Sequence, residues 1–207
     1  PQKIFGPVGT KVYLNKLMKL WEPELELRIA HEKRPSTQAL HEDVTEIDDG
    51  TIIDFVGLSV KTVEVLHHPV KKAFGFVFEN SLGKVVISGD TKFCPALIEA
   101  AKGADLLLHE VFIHNEMPVI DGIRTPQTIK NVASYHTLDS EVGKIASLAN
   151  VGLLMLTHFA PPKFDRKKLL KRVSKDFKGH ILIGEDLMTF DIKNKILSWK
   201  NLEVKLG

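Results

Sequence analysis

Two apolar runs in the second half of the chain dominate its pattern of hydrophobic and polar positions. Residues 85–91 (VVISGDT) and residues 153–158 (LLMLTH) are apolar at consecutive positions until polar residues end each run. Because consecutive apolar residues cover both faces of a strand, this pattern is typical of a buried strand in a parallel sheet. In α/β sheets ligand sites collect at the carboxyl ends of such strands, and these two ends carry Asp90 and His158.

The rest of the pattern alternates between helix-like and strand-like segments. Residues 10–21 show helical spacing of apolar side chains, whereas residues 24–65 are predicted to form short strands broken by an Asp-Asp-Gly turn. The remaining predicted elements are, in chain order, a hairpin at 74–88, a helix at 95–101, a strand at 105–109, a long irregular loop at 113–135, a helix beginning at 139, a helix at 165–177, a strand at 180–183 and a closing hairpin around Asn194. Strands that alternate with helices indicate an α/β fold, and we expect one domain over residues 1–207.

Composition and charge exclude several classes of protein. The 207 residues are 43% apolar and 26% charged with a formal net charge of +2, as in ordinary globular proteins. No apolar run approaches the ~18 residues of a membrane span, so no membrane partner is expected. The basic residues at 166–175 have helical spacing and are interpreted as a solvated helix face. Cys94 is the single cysteine, which excludes an intramolecular disulfide, fits a reducing compartment and predicts a cytoplasmic location.

Several histidines and acids lie where strands are expected to end. Asp90 and His158 offer a carboxylate and an imidazole, both of which Zn²⁺ binds at roughly 2.0–2.2 Å. His67 and His68 follow another predicted strand. Because neighbouring strand residues point to opposite faces, only one of these two histidines can reach a shared site.

The order of these motifs along the chain resembles the metallo-β-lactamase superfamily, and within it the branch of ribonuclease Z, arylsulfatase-type enzymes and related phosphodiesterases. The motifs that carry the resemblance are residues 67–70 (HHPV), 73–75 (AFG), 88–91 (SGDT), 103–110 (GADLLLHE), 136–137 (HT) and 156–159 (LTHF). The turn at residues 6–10 (GPVGT) also fits, and the likeness covers nearly the whole chain. It implies a four-layer αβ/βα sandwich, in which two sheets pack face to face with helices outside.

The resemblance also implies roles for individual residues. Asp90 would bridge two metal ions, with His67 as a ligand of the first ion and His158 as a ligand of the second. Zinc is the expected metal, with manganese or iron as alternatives, and a hydroxide shared by the two ions would attack the substrate. His136, oriented by Glu110, would act on the leaving group without binding metal.

Two departures from the family pattern affect this interpretation. The signature His-x-His-x-Asp-His, which supplies further metal ligands, does not occur in the sequence, and it normally precedes the Gly-Pro turn near which this chain begins. We therefore expect the sequence to lack the first strands of the sandwich, with a degenerate relative of the family as the alternative. His67 and Asp90 are only 23 positions apart, so the long tRNA-binding arm of ribonuclease Z enzymes is expected to be absent from this interval.

These features predict a metal-dependent hydrolase that cleaves an ester-type bond, such as a phosphodiester, a sulfate ester or a lactone, in a small molecule. A ribonuclease Z-like RNA endonuclease is the alternative, with RNA the less favoured substrate, and a metal-free scaffold of the same fold is a further one. The family register favours His67 over His68 as the ligand. A homodimer is compatible with each interpretation.

Overall fold

The computed structural model describes residues 1–206, apart from the side chain of Ala39. Backbone contacts divide the chain into two compact units, Pro1–Asp48 and the part of the chain that begins at Asp49. A division by contacts does not show which parts fold independently, so the expectation of one domain stays a prediction.

The first unit consists of two parallel strands and the segment that connects them. Strand β1 (Gln2–Pro7) pairs with strand β2 (Glu42–Ile47) along their whole lengths. Between them in the chain lie the long helix α1 (Thr10–Glu32) and a short 3-10 turn (Gln38–Leu40). Parallel strands need such a crossover connection, and here a helix supplies it.

Helix α1 continues through Pro23, although the sequence predicts a helix end at Trp21 and strands from Glu24. A proline in a helix interior removes one backbone hydrogen bond and normally costs ~3 kcal/mol. Residues 24–32 are rich in Glu, Leu, Arg and Ala, which have high helix propensity and keep the chain helical beyond the proline. The strand prediction is therefore wrong for residues 24–32.

The second unit is built on a seven-stranded mixed sheet. Its strands lie side by side in chain order, with antiparallel pairing from β3 to β6 and parallel pairing from β6 to β9. The strands are β3 (Ile52–Phe55), β4 (Leu58–Val65), β5 (Ala73–Asn80), β6 (Gly83–Ile87), β7 (Leu106–Phe112), β8 (Leu153–Ala160) and β9 (His180–Ile183). The predicted hairpin and the later predicted strands correspond to β5 through β9.

Helices cover one face of this sheet and a small sheet covers the other. The covering helices are α2 (Pro95–Ala100), α4 (Val142–Ala149) and α5 (Arg166–Val173), and the small sheet contains β10 (Thr189–Asp191), β11 (Ile196–Trp199) and β12 (Leu202–Lys205). Helix α3 (Pro126–Ala133) has no buried residue and contacts the 3-10 turn His114–Glu116. Side chains alternate along a strand, so Leu107 and Leu154 pack with helical residues such as Ile145. Their neighbours Leu106 and Leu153 pack with the small sheet. The α/β sandwich that the sequence predicts is confirmed.

The helices differ from the predicted ones in position and number. Helix α3 lies inside the predicted irregular loop at 113–135, where the Thr125 hydroxyl caps it by accepting the Thr128 N–H and Pro126 occupies its first turn. Helix α4 begins three residues later than predicted, and α5 ends at Val173 rather than at residue 177. Within residues 1–206, no helix is both long and apolar enough to cross a membrane.

Candidate active site

A tight turn after β6 places Asp90 beyond the end of the strand. Gly89 has a φ of 60°, and a Cβ at this position would lie 2.4 Å from the carbonyl oxygen of Phe74. Only glycine combines this backbone conformation with so close an approach. The turn leaves the Asp90 side chain about two-fifths exposed, so a ligand can reach its carboxylate.

His158 is the extra residue of a β-bulge in β8. Thr157 pairs with Glu110 and Phe159 pairs with Val111, so His158 has no partner on β7. Its φ of 45° is unusual for a residue with a side chain and costs of order 1–3 kcal/mol. Bulges beside active sites redirect a side chain, and here Nδ1 of His158 lies 3.4 Å from Oδ1 of Asp90.

Asp90, His136 and His158 form a group that could hold a metal ion. Each offers one ligand atom, and these three atoms lie within 4.8 Å of one another. Two imidazole nitrogens and a carboxylate oxygen suit zinc better than magnesium or calcium, which prefer oxygen ligands. An ion with three protein ligands keeps a fourth position open, as catalytic zinc requires. The donor set therefore fits the metal that the sequence predicts.

Glu110 holds His136 by its other ring nitrogen. Nδ1 of His136 lies 2.7 Å and 2.9 Å from the two carboxylate oxygens of Glu110, and both side chains are buried. Because a carboxylate only accepts hydrogen bonds, the ring proton is on Nδ1. Nε2 is therefore the nitrogen that can accept or donate a proton. Glu110 also accepts the backbone N–H of Thr91 at 2.6 Å. One carboxylate thus fixes both His136 and the turn that carries Asp90.

His67 lies beside this group without belonging to it. Its Nδ1 is 3.1 Å from the carbonyl oxygen of Tyr135, and since a carbonyl only accepts, Nδ1 is the donor and Nε2 keeps its lone pair. The His67 ring makes an edge contact with the His136 ring, with centroids 4.9 Å apart. The His136 and His158 rings are stacked at 5.8 Å. The structure thus brings the five predicted site residues into one neighbourhood, and His68, next to His67 in the chain, is exposed.

The sequence analysis included His109 in the motif at residues 103–110 without giving it a role, and the structure shows it fully buried beside Glu110. Its Nδ1 lies 2.8 Å from the Glu110 backbone oxygen, and within the described residues Nε2 has no hydrogen-bond partner. Burial lowers the pKa of His109 from 6.5 to about 4, with the backbone hydrogen bond opposing this shift. The ring is therefore neutral near pH 7. The sequence does indicate that His109 is buried, because it lies inside an apolar run that predicts a buried strand.

A buried ion pair anchors the segment that follows His136. Nε of Arg172 lies 2.5 Å from Oδ2 of Asp139, which is only 1% exposed. Burial raises the pKa of Asp139 and the Arg172 charge opposes that rise. Arg172 also donates to Glu116 at 2.9 Å. Arg172 was predicted to lie on a solvated face, and this is wrong because that prediction considered only the spacing of charges along its own helix.

Backbone hydrogen bonds connect this ion pair to the site. The Phe112 N–H donates to the Thr137 oxygen at 2.8 Å, and the Asp139 N–H donates to the Phe112 oxygen at 3.1 Å. The Thr137 hydroxyl donates to the Thr91 oxygen at 2.7 Å. Residues on both sides of the site are therefore tied to the end of β7, which limits how far His136 can move.

A cavity of about 510 Å³ lies next to His158 in the chain. Its lining is mixed, with the cations Arg124 and Lys163 and the acid Glu116, which accepts from Arg172, among apolar side chains: Glu116, Met117, Pro118, Arg124, Phe159, Ala160, Pro161, Pro162 and Lys163. Nη1 of Arg124 donates to the Pro118 oxygen at 3.2 Å. A cavity of this size and composition suits a ligand that is partly apolar and carries negative charge.

Comparison with known proteins identifies the family. A family model described as a beta-lactamase superfamily domain matches residues 9–159. The ribonuclease Z of Mycobacterium marinum is 31% identical over 93% of this chain, and a putative ribonuclease Z of Mycobacterium tuberculosis (strain CDC 1551 / Oshkosh) is 30% identical over 93%. The chain covers 68% of the first relative and 84% of the second.

Two solved structures share the fold at lower sequence identity. The metallo-beta-lactamase fold protein YhfI from Bacillus subtilis aligns with a TM-score of 0.61 and 18% identity, over 88% of this chain and 62% of its own. The short form of human tRNase Z aligns with a TM-score of 0.57 and 21% identity, over 92% of this chain and 67% of its own. The family that the motif order suggested is confirmed: the chain belongs to the metallo-β-lactamase superfamily and is a hydrolase of that family.

Proposed function

We propose that this protein is a metal-dependent phosphodiesterase whose substrate is RNA. The observation that carries the proposal is the buried Glu110–His136 pair next to Asp90 and His158, because it sets a histidine held by a carboxylate beside two side chains that can bind metal. The relatives named ribonuclease Z, at 30–31% identity, support the RNA substrate over the small ester that the sequence first favoured.

Asp90, His158 and His67 are the residues that we propose as zinc ligands. The carbonyl of Tyr135 sets the tautomer in which Nε2 of His67 can coordinate, and the ring is already next to His136. Bound zinc would supply Lewis acidity and a water of lowered pKa. The second ion that the family resemblance implies would need donors beyond these three residues.

His136 is proposed as the proton donor to the leaving oxygen. Cleavage of an RNA phosphodiester expels a sugar alkoxide, which is a poor leaving group unless it is protonated as the bond breaks. Nδ1 of His136 donates to Glu110, so Nε2 is the nitrogen that would carry the proton given to the leaving oxygen. A positioned acid of this kind contributes roughly 10²–10⁴-fold to the rate.

The cavity lined by Arg124, Phe159 and Lys163 supports a nucleotide substrate. Arg124 and Lys163 supply positive charge for a phosphate next to the scissile one, since phosphate contacts position a nucleic acid. Phe159 and Met117 supply apolar surface, and bases stack on aromatic side chains without regard to sequence. A neutral carboxylic ester carries no charge for Arg124 and Lys163 to bind.

One observation favours a second candidate, a small phosphodiester or other small ester. The interval between His67 and Asp90 is occupied by the hairpin of β5 and β6. The long arm that binds tRNA in ribonuclease Z enzymes has no place in this interval. Binding of RNA would then depend on the cavity and the neighbouring surface.

Cleavage assays with zinc-loaded protein distinguish the candidates. An RNA hairpin with a single-stranded 3′ extension, bis(p-nitrophenyl) phosphate, p-nitrophenyl acetate and p-nitrophenyl sulfate would be compared. We expect cleavage of the RNA at a discrete position, its loss with Asp90→Asn, and its retention with Asp121→Asn, an exposed carboxylate outside the site. Preferred hydrolysis of a nitrophenyl compound would favour the second candidate, and no metal-dependent hydrolysis at all would favour a non-catalytic scaffold.

A further inference from the structure

Positive charge is concentrated on helix α5 and the residues that flank it. Residues 163–178 contain eight cations and two acids, a formal charge of +6, whereas the whole chain has a formal charge of +2. Four exposed lysines recur at intervals of four residues, Lys163, Lys167, Lys171 and Lys175. These four residues are called the lysine row below. Their spacing is that of neighbours along one side of a helix.

The lysine row lies opposite the packed side of the helix. Leu169, Val173 and Phe177 are buried and belong to the core between α5 and the main sheet. The chain keeps its helical turn beyond Val173, since the Phe177 N–H donates to the Val173 oxygen at 3.2 Å. Residues two positions apart lie on nearly opposite sides of a helix. The last three lysines of the row therefore point away from the sheet.

The other cations of the helix have acidic partners, and the lysine row does not. The pairs are Arg166 with Glu185, Lys168 with Asp165, and Arg172 with both Glu116 and Asp139. Within residues 1–206, no acid forms an ion pair with a lysine of the row. Lysines four residues apart repel each other, and a cation in the first turn, such as Lys167, opposes the helix dipole. Local stability therefore does not account for the row, whereas an anionic ligand does.

The lysine row begins at the edge of the sheet that carries the candidate site. Strands β8 and β9 are parallel neighbours joined by α5, so the helix starts near the carboxyl end of β8 and runs back along the sheet. His158 lies near that end of β8, and Lys163 lines the cavity. The Asp165 N–H donates to Glu116, another residue of the cavity lining, at 2.7 Å. The row therefore leads from the cavity along the outside of the molecule.

We propose that the lysine row binds the phosphate backbone of the RNA outside the cavity, an inference that rests on the proposed function. The row offers positive charge without an aromatic side chain, so it suits phosphates rather than the stacking or reading of bases. From Lys167 to Lys175 it spans about 12 Å at 1.5 Å per residue, the length of roughly four phosphates of a stacked strand at about 3.4 Å each. The row would supply the contacts for which the interval between His67 and Asp90 has no arm.

Binding of a fluorescently labelled RNA hairpin, followed by anisotropy at several salt concentrations, tests the row. The Asp90→Asn chain is the parent protein, so that the RNA is bound without being cleaved. The row variant adds Lys167→Gln, Lys171→Gln and Lys175→Gln. We expect its affinity to be at least about tenfold lower at 0.1 M salt. The slope of log affinity against log salt should be less steep by about 2, because each phosphate contact contributes roughly 0.7–0.9.

A control variant removes the same amount of charge elsewhere. Lys193, Lys200 and Lys205 are exposed and lie in or beside the small sheet, which covers the opposite face of the main sheet. Their joint replacement by Gln should leave both the affinity and the salt slope of the parent unchanged. Equal losses in the control variant and the row variant would show that only net charge matters, and this would overturn the proposal.

Steady-state cleavage by the zinc-loaded chain tests the position of the row. With the RNA hairpin, the row variant should raise KM at least about tenfold and change kcat by less than about twofold, since contacts far from the scissile bond bind substrate and transition state equally. An RNA trimmed to about two nucleotides on each side of the scissile phosphate should show equal KM values, because it does not reach the row. A row effect that persists on the trimmed RNA would overturn the proposal.

Failure of this inference differs from failure of the proposed function. An RNA that is bound through the row but not cleaved by the zinc-loaded chain would contradict the proposed function and leave the row as an RNA-binding surface. An RNA that is cleaved, with equal affinity and equal salt slope for parent and row variant, would overturn the row alone. A chain that binds no RNA would overturn both, as would row-dependent binding of phosphatidylserine vesicles in place of RNA.

Discussion

Glu110 lies 2.7 Å from Nδ1 of His136 and at the same time accepts the backbone N–H of Thr91 at 2.6 Å. The first contact orients the proposed proton donor, and the second holds the turn that carries Asp90. A single buried carboxylate therefore links the proton-transfer group to the metal-binding group. Movement of either group is opposed by the other.

Removal of the His136 imidazole should separate proton transfer from metal binding. We expect His136→Ala to retain its zinc and to lose roughly 10²–10⁴-fold in kcat, the usual effect of losing a positioned acid. The loss should shrink for p-nitrophenyl phosphodiesters, whose leaving groups need little protonation. Elemental analysis and a series of leaving groups measure the two effects. Loss of zinc would instead assign His136 as a ligand, as its distance from Asp90 and His158 also permits.

The ligand assignments predict the metal content of four variants. Asp90→Ala should lose bound zinc and activity together, since Asp90 is the proposed bridging ligand. His158→Ala and His67→Ala should weaken zinc binding by at least tenfold. His68→Ala is the matched control for His67, because it changes the neighbouring histidine and should retain its zinc. A His67→Ala chain with wild-type affinity would remove His67 from the proposed ligands.

Gly89→Ala should damage both stability and the site. The new Cβ would lie 2.4 Å from the Phe74 oxygen at a φ of 60°, so the turn has to shift and Asp90 shifts with it. Gly122 has a φ of 67°, but a Cβ added there would meet nothing within 4 Å, and Gly122→Ala therefore isolates the cost of the backbone conformation, of order 1 kcal/mol. Urea unfolding should show a larger loss for Gly89→Ala. Equal losses would mean that contact with Phe74 is unimportant.

His109 should make the protein less stable in mild acid. Its folded pKa of about 4 lies below the ordinary value of 6.5, so between these pH values the unfolded chain binds a proton that the folded chain does not. The contribution of the neutral His109 ring to the unfolding free energy is complete above pH 6.5 and decreases as the pH falls towards 4. The total loss is at most about 3 kcal/mol, at about 1.36 kcal/mol per pH unit. His109→Gln has no titrating group at this position, so its unfolding free energy should fall less over this interval. Parallel profiles for the two proteins would contradict the expectation.

Arg172→Met should destabilise the protein by leaving Asp139 buried without its cation. Removing one partner of a buried ion pair typically costs about 3–5 kcal/mol, and Asp139 is 1% exposed. The double variant Arg172→Met with Asp139→Asn should regain part of this loss, because no charge remains to be buried. Denaturant unfolding of the two single variants and the double variant measures the coupling. Additive losses would show that the two side chains do not stabilise each other.

Local sequence determined the strands of the second unit and the position of Asp90 beyond the end of β6. His158 was predicted to end its strand but lies in a bulge two residues before the end of β8. Consecutive apolar residues fill both faces of a buried strand, so the strand and its last polar residue can be located without knowing what packs around them. The family followed from the order of several short motifs, including those of Glu110 and His136. Helix α1 was predicted too short, because residues 24–32 were interpreted as part of a series of short strands although their helix propensity is high.

Tertiary structure alone decided which of these side chains meet. The bulge that redirects His158 arises from the pairing of β7 with β8, and the contact of Arg172 with Asp139 joins residues that no local pattern connects. Only the tertiary structure also shows that His67 lies beside the group of Asp90, His136 and His158 rather than in it. Hydrophobic periodicity reports which residues are buried in one element. The distances between side chains depend instead on strand register and long-range packing, and these are properties of the folded chain.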